Sequence, residues 1–256
     1  MQTAARTAQQ PVAGAARRRA AVRHRPRRCR AAARPAAAAD VQLLTPSCDP
    51  ALTARCLETF GESFAEDPVL PLLGVPEARK NQFFRAWSAF YLQKWTAERV
   101  LYAAEGGDAA AIVAYSSMVE ASSWTPLDAL RCGLAGEALA MPWSAWPQLF
   151  EMLTGMAESG SCLEPLGIAK PYLKIVFLAS HPSARGRGLG DAVMRAITRR
   201  ADSEGLPLFL EAAPTGVDAY YESRHGFERV AVSRMEFGAG GFEMPLMLRR
   251  PRSLDG

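Results

Sequence analysis

The stretch from Tyr172 to Gly190, YLKIVFLASHPSARGRGLG, constrains this chain more than any other. An apolar run of strand character closes on a polar turn, and three glycines then open a helix. Glycine places no Cβ between the backbone and a ligand. Successive N–H groups around Gly186, Gly188 and Gly190 can therefore turn inward on an oxyanion. The first turn of the following helix adds unpaired N–H groups and about half a positive charge from its dipole. A phosphate or pyrophosphate satisfies both.

Spacing separates the phosphate loops that share this appearance. A Walker-type loop needs a Lys-Ser/Thr pair after its last glycine, and Leu189, Gly190 and Asp191 stand in the way. The dinucleotide fingerprint lacks its third glycine and would follow its strand directly, whereas five residues from His181 to Arg185 intervene. The pattern R/Q-x-x-G-x-G/A is met by Arg185, Gly188 and Gly190. This resembles the acyl-CoA loop of the GNAT family of N-acetyltransferases. The resemblance runs from about Tyr172 to Arg250: strand, loop and helix, then LPLFLEAA, then AYYESRHGF, then two strands. The order of those segments and the earlier SFAEDPVLPLLG look like the puromycin N-acetyltransferase-like branch, with residues 41–171 matching more loosely.

The resemblance implies an α+β fold, a mixed and mostly antiparallel sheet flanked by helices. It also implies an enzyme that passes the acetyl group of acetyl-CoA directly to the amine of a small molecule in a ternary complex. In such a fold the strand before the loop splays from its neighbour and pairs with the pantetheine arm, which points here to the backbone of Leu178, Ala179 and Ser180. Arg185, Gly186, Arg187, Gly188, Leu189 and Gly190 would surround the pyrophosphate. Cations at a helix N-terminus oppose its dipole, so an anion there accounts for the two arginines better than a solvated helix entry does.

Tyr221 is the candidate general acid, since a phenol can protonate a leaving thiolate. The family spacing is Tyr-x-x-x-Gly-Phe; here Tyr221 precedes Gly226-Phe227 by one residue more, as if Ser223 were inserted, and Tyr220 is the alternative. Val217 stands where an asparagine often contacts the cofactor. Glu211 ends an apolar strand, where partial burial would raise its pKa and make it a better base; holding the loop through backbone hydrogen bonds is its competing role. His181 and His225 are expected to shape turns. An acetyltransferase of protein α-amino or lysine groups, and an acyl-CoA-binding protein with degraded catalysis, are the alternative readings.

Residues 1–39 hold ten arginines and no Asp, Glu or Lys. They lack the apolar face needed to offset an ordering entropy of about 1–2 kcal/mol per residue. This is the composition of an organelle transit peptide, with chloroplast as the expected compartment, mitochondrion the alternative and a nucleic-acid arm the rival role. Without it, 20 basic residues face all 26 acids, so the domain from Asp40 to Gly256 carries a net charge of about −6. Such a domain has no general attraction to nucleic acid or acidic membranes, and no apolar run is long enough to span one. The sequence leaves the oligomeric state open. Five scattered cysteines, at 29, 48, 56, 132 and 162, favour buried thiols in a reducing compartment over disulfides or a metal site.

Within the domain, VQLLT reads as a strand and Pro50–Ala65 as a helix capped by Asp49. Pro76–Trp95 reads as a helix whose aromatic stripe belongs to the core more readily than to a pocket. RVLYAAEGGDAAAIVAYSSMV reads as two strands turning at Gly106-Gly107. Residues 125–165 form a helical insert, expected to cover the acceptor side of the cofactor-binding core at about 172–250.

Overall fold

The computed structural model describes residues 39–122, 125–147, 149, 159–237 and 240–252. The expected transit segment, save Ala39, and residues 150–158 of the insert lie outside them.

Seven strands form one sheet in the order β1-β2-β3-β4-β5-β7-β6. They are β1 (Val41–Leu44), β2 (Leu101–Ala104), β3 (Ala109–Tyr115), β4 (Leu173–Ser180), β5 (Leu208–Glu211), β6 (Glu228–Phe237) and β7 (Gly240–Arg249). Every pairing is antiparallel except β4 with β5. The apolar run AAAIVAY makes β3 a central strand buried on both faces. Its Ala110, Ile112 and Ala114 pack toward helices α1 (Pro50–Phe64) and α3 (Lys80–Lys94). Ala109, Ala111 and Val113 pack toward α7 (Leu189–Glu204) on the other face.

Local chemistry fixes the helix ends. Asp49 caps α1, its Oδ1 accepting the Leu52 N–H at 2.9 Å, and Pro50 opens the first turn. Gly205 ends α7 at φ 65°, a left-handed C-cap that glycine adopts at little cost. The expected helix from Pro76 begins as a 3-10 turn over Glu77–Arg79 and becomes α-helical at Lys80. A short helix α2 (Val69–Leu72) lies between α1 and that turn.

Two sequence expectations need correction. The strand expected to run through Ser116 stops at Tyr115, and Ser116–Ala121 is helical (α4). The ladder has no partner past Leu173, and Ser116 closes it by donating its N–H to the Tyr172 carbonyl at 2.9 Å. Cys56, Cys132 and Cys162 are buried free thiols as expected, but Cys48 is exposed, on the turn between β1 and α1.

The insert supplies α5 (Pro126–Arg131), α6 (Leu134–Leu139) and a 3-10 turn at Trp143–Ala145. Trp143 is 81% exposed and stacks on Trp146 at 5.5 Å, so it is neither core nor cavity wall.

Candidate active site

The site begins where β4 leaves β5. Their parallel pairing covers only Leu173↔Leu208, Lys174↔Phe209 and Ile175↔Leu210. On the opposite edge of β4, Ile175 pairs with Val113 and Phe177 with Ile112, leaving Val176 as the extra residue of a β-bulge. A bulge bends its strand and adds twist. Beyond it β4 diverges, while β5 stays with β7, the Ala212 N–H donating to the Pro245 carbonyl at 2.9 Å. The fork holds a cavity of about 530 Å³. Its walls come from the C-terminal turn of α1, from α3, from β4 and β7, and from α8 (Asp218–His225).

The backbone of Leu178, Ala179 and Ser180 lies along this diverging edge. The Ser180 carbonyl already accepts the Ser63 hydroxyl at 2.6 Å, which ties the edge to α1. His181 shapes the following turn through Nδ1 and the Ser183 hydroxyl, 2.7 Å apart. Gly186 and Gly188 then take φ of 82° and 77°, and a Cβ at either would meet nothing within 4 Å. Gly188 caps α7 with no side chain of its own, and among the described residues no side chain is seen to accept from the first N–H groups of the helix. A Cβ at Gly190 would come 2.9 Å from the Ser180 hydroxyl. Open backbone donors, a helix dipole and a diverging strand edge in one line suit an anionic group carried on an extended chain.

The two loop arginines part company. Arg185 lines the cavity and donates to the Ser63 carbonyl at 3.4 Å. Arg187 turns away to the β2–β3 turn, where it pairs with Glu105 and, at 3.2 Å, with Asp108. Asp108 also binds Arg55 at 2.9 Å, the contact that chiefly holds its carboxyl below the usual range. Asp191, an acid in the first turn of α7, is met by Arg195 and by His225 Nε2 at 3.1 Å.

Tyr221 is 8% exposed and lines the cavity, and burial pushes its phenol up to about 12. The extra residue is absorbed within α8, which runs unbroken to Gly226, with Ser223 bonding back to the Ala219 carbonyl at 2.7 Å. Neighbours on a helix lie about 100° apart. Tyr221 therefore faces the fork while Tyr220 faces His225, at 3.0 Å, and Asp191. Val217 also lines the cavity.

Glu211 lines the cavity, but not as a lone carboxylate in an apolar wall. Its Oε1 lies 3.0 Å from the Lys174 ammonium, and the two side chains are 5% and 6% exposed. The structure adds carboxylates from the turn after α1 that the sequence reading missed, an exposed Glu66 and the more enclosed Asp67. Asp67 lines the cavity from the turn after α1, accepts the Val69 N–H at 2.9 Å, and is pushed above the usual carboxylate range by burial. Its signal was the Asp-Pro step inside SFAEDPVLPLLG. The aromatic stripe of α3 serves both core and wall: Phe84 stacks on Phe64 at 4.9 Å, Trp87 meets Phe177 edge-on at 5.9 Å, and all four line the cavity.

No curated protein is significantly similar to the chain in sequence. Among solved structures it resembles an agmatine N-acetyltransferase, a point mutant in its apo form, at 17% identity and TM-score 0.52, covering 83% of this chain and 99% of that one. A polyamine N-acetyltransferase of Drosophila melanogaster that forms N-acetylagmatine aligns at 15% identity and TM-score 0.53, with coverage of 83% and 99%. Arylalkylamine N-acetyltransferase 2 from Aedes aegypti aligns at 11% identity and TM-score 0.53, with coverage of 84% and 99%. The model of the acetyltransferase (GNAT) family matches residues 75–227, from Val75 before α3 through the glycine loop to Phe227. The forked sheet, the uncapped glycine loop and this match together establish that the chain belongs to the GNAT family of acetyltransferases.

Proposed function

We propose that the chain transfers the acetyl group of acetyl-CoA to the amine of a small molecule held in the fork. The observation that carries this reading is the continuity of the diverging β4 edge, the open glycine loop and a cavity lined by the Tyr221 phenol and the carboxylates of Asp67 and Glu211. Bound acetyl-CoA supplies a thioester, an acetyl carbonyl ready for attack by nitrogen. Leu178 and Ala179 would pair with its arm, and Arg185 with the backbone of Gly186–Gly190 would take the pyrophosphate; Arg187, paired with two acids, would help only by leaving them.

An amine reaches the fork mostly as ammonium and must lose a proton before it attacks. Asp67 is well placed to take that proton, because burial raises the proton affinity of its carboxylate. Glu211, neutralised from behind by Lys174, is suited to receiving an N–H of the amine and orienting it. Tyr221 stays protonated at neutral pH and enters as an acid. The low dielectric that holds its proton also destabilises a departing thiolate, so transfer is less uphill than values in water suggest. The aromatic walls favour an ammonium on an apolar body. The small amines named for the similar structures support a small-molecule acceptor. Three sequence motifs support a position near the puromycin N-acetyltransferase-like branch, and the composition of residues 1–39 supports organelle import.

Calorimetry with acetyl-CoA, followed by thiol release against phenethylamine, agmatine and a lysine peptide, tests the proposal. Binding with turnover of a small amine is expected. Turnover of the peptide alone moves the chain to protein acetylation, binding without turnover makes it an acyl-CoA-binding protein, and absence of binding ends the reading.

A further inference from the structure

Lys174 is the only charged residue of β4, and it is 5% exposed. Its ammonium lies 5.8 Å from the centre of the Phe209 ring and 3.0 Å from Glu211 Oε1, so it clasps two residues of β5 from β4. The clasp sits on the last paired rungs before the strands part, two residues before the bulge at Val176. Glu211 lines the cavity and Lys174 does not. The ammonium thus stands behind the wall whose carboxylate faces the acceptor. A buried ion pair seldom stabilises a fold more than an apolar pair of the same volume, because desolvation offsets the attraction. Stability is therefore a poor account of a cation in this strand.

We infer that Lys174 is a positioning residue for the acceptor amine, holding the Glu211 carboxylate in one orientation at the fork so that the amine is aimed at the thioester. The inference rests on the transferase reading above. It assigns the pair a role in amine use and none in cofactor binding, because the glycine loop and the diverging edge lie on the far side of the bulge.

The test compares Lys174→Met, Lys174→Arg and the paired Lys174→Met/Glu211→Leu with the wild type on the full chain. The readouts are melting temperature, acetyl-CoA affinity by calorimetry, and kcat and KM for the best amine of the panel. Lys174→Met should lower kcat/KM for the amine by about 100-fold, the scale of a small misplacement of reacting groups, with acetyl-CoA affinity unchanged. Lys174→Arg should recover most of that loss. The paired apolar variant removes both charges, so it remains folded where the single variant strands a buried carboxylate, and it should stay impaired toward the amine. Wild-type kcat/KM in the paired variant would overturn the inference, as would parallel loss of amine and acetyl-CoA use in a folded Lys174→Met. Failure of the wild type to bind acetyl-CoA would overturn the transferase reading itself, and this inference with it.

Discussion

Helix α7 begins and ends on left-handed glycines, Gly188 at φ 77° and Gly205 at φ 65°, and a Cβ at either would meet nothing within 4 Å. Alanine at each position therefore creates the same local problem, a left-handed L-residue without a clash, costing about 1–2 kcal/mol. For a domain of this size each kcal/mol lowers Tm by about 2–4 °C. The two ends differ in only one relevant respect: Gly188 lies where the anion would meet the uncapped N–H groups, and Gly205 lies at the opposite pole of the helix. A methyl at Gly188 that displaces one charge-assisted hydrogen bond should cost about 1.5–3 kcal/mol of acetyl-CoA binding, or about 10–100-fold in Kd. Gly188→Ala and Gly205→Ala should thus melt alike in a thermal scan, while calorimetry finds weaker acetyl-CoA binding only in the first. Equal affinities in the two variants, at equal Tm, would refute the assignment of the glycine loop as the anion cradle.

Tyr221→Phe should lower kcat by about 10²–10⁴-fold with little change in acetyl-CoA affinity, and unchanged kcat would remove Tyr221 from the reaction. Asp67→Asn should lower amine kcat/KM yet raise stability. The partly buried carboxyl holds its proton to higher pH in the folded than in the unfolded chain, so the wild type loses stability as pH rises through that raised value. The variant should therefore melt higher at pH 7 and converge with the wild type below about pH 4, the ordinary carboxylate range, in scans across pH. Asp202→Asn has the opposite sign. Arg249, at 2.8 Å through both Nη atoms, holds the Asp202 carboxyl below its usual range, so the pair's stabilisation is present above the unfolded value and fades as pH falls through the folded one. Its loss should cost about 3 kcal/mol at pH 7 and little in strong acid.

Features carried by contiguous residues were legible in the sequence. The double-faced run of β3, the Asp49 cap and the strand–glycine–helix unit each follow from neighbours along the chain. The site was legible only in part. Tyr221 was named, but the choice over Tyr220 depended on helix rotation, which an apparent insertion obscures. The partner of Glu211 lies 37 positions away and is set by strand pairing, so burial alone gave the wrong surroundings for that carboxylate. Arg187 was placed at the pyrophosphate by its position between Gly186 and Gly188, yet its charge is engaged by acids of the distant β2–β3 turn. The Asp-Pro step marked Asp67 as part of a turn, but its place in the cavity wall follows only from the folding of that turn beside the fork.

The extra residue in β4 also governs which changes of length this strand can survive over evolutionary time. Val176 and Phe177 both pack with the α1/α3 core, and alternation resumes with Leu178 on the α7 face and Ala179 back on the first. Deleting Val176 would therefore leave Phe177 opposite Ile112 and every later side chain on its present face, whereas a deletion outside the Val176–Phe177 pair would exchange the two faces. What that one deletion removes is the bend. A straightened β4 would run on beside β5, and backbone groups now free along the fork would be taken up by a neighbouring strand. Loss of a single codon would thus narrow the fork that holds the cavity while leaving every side chain of the strand on its present face.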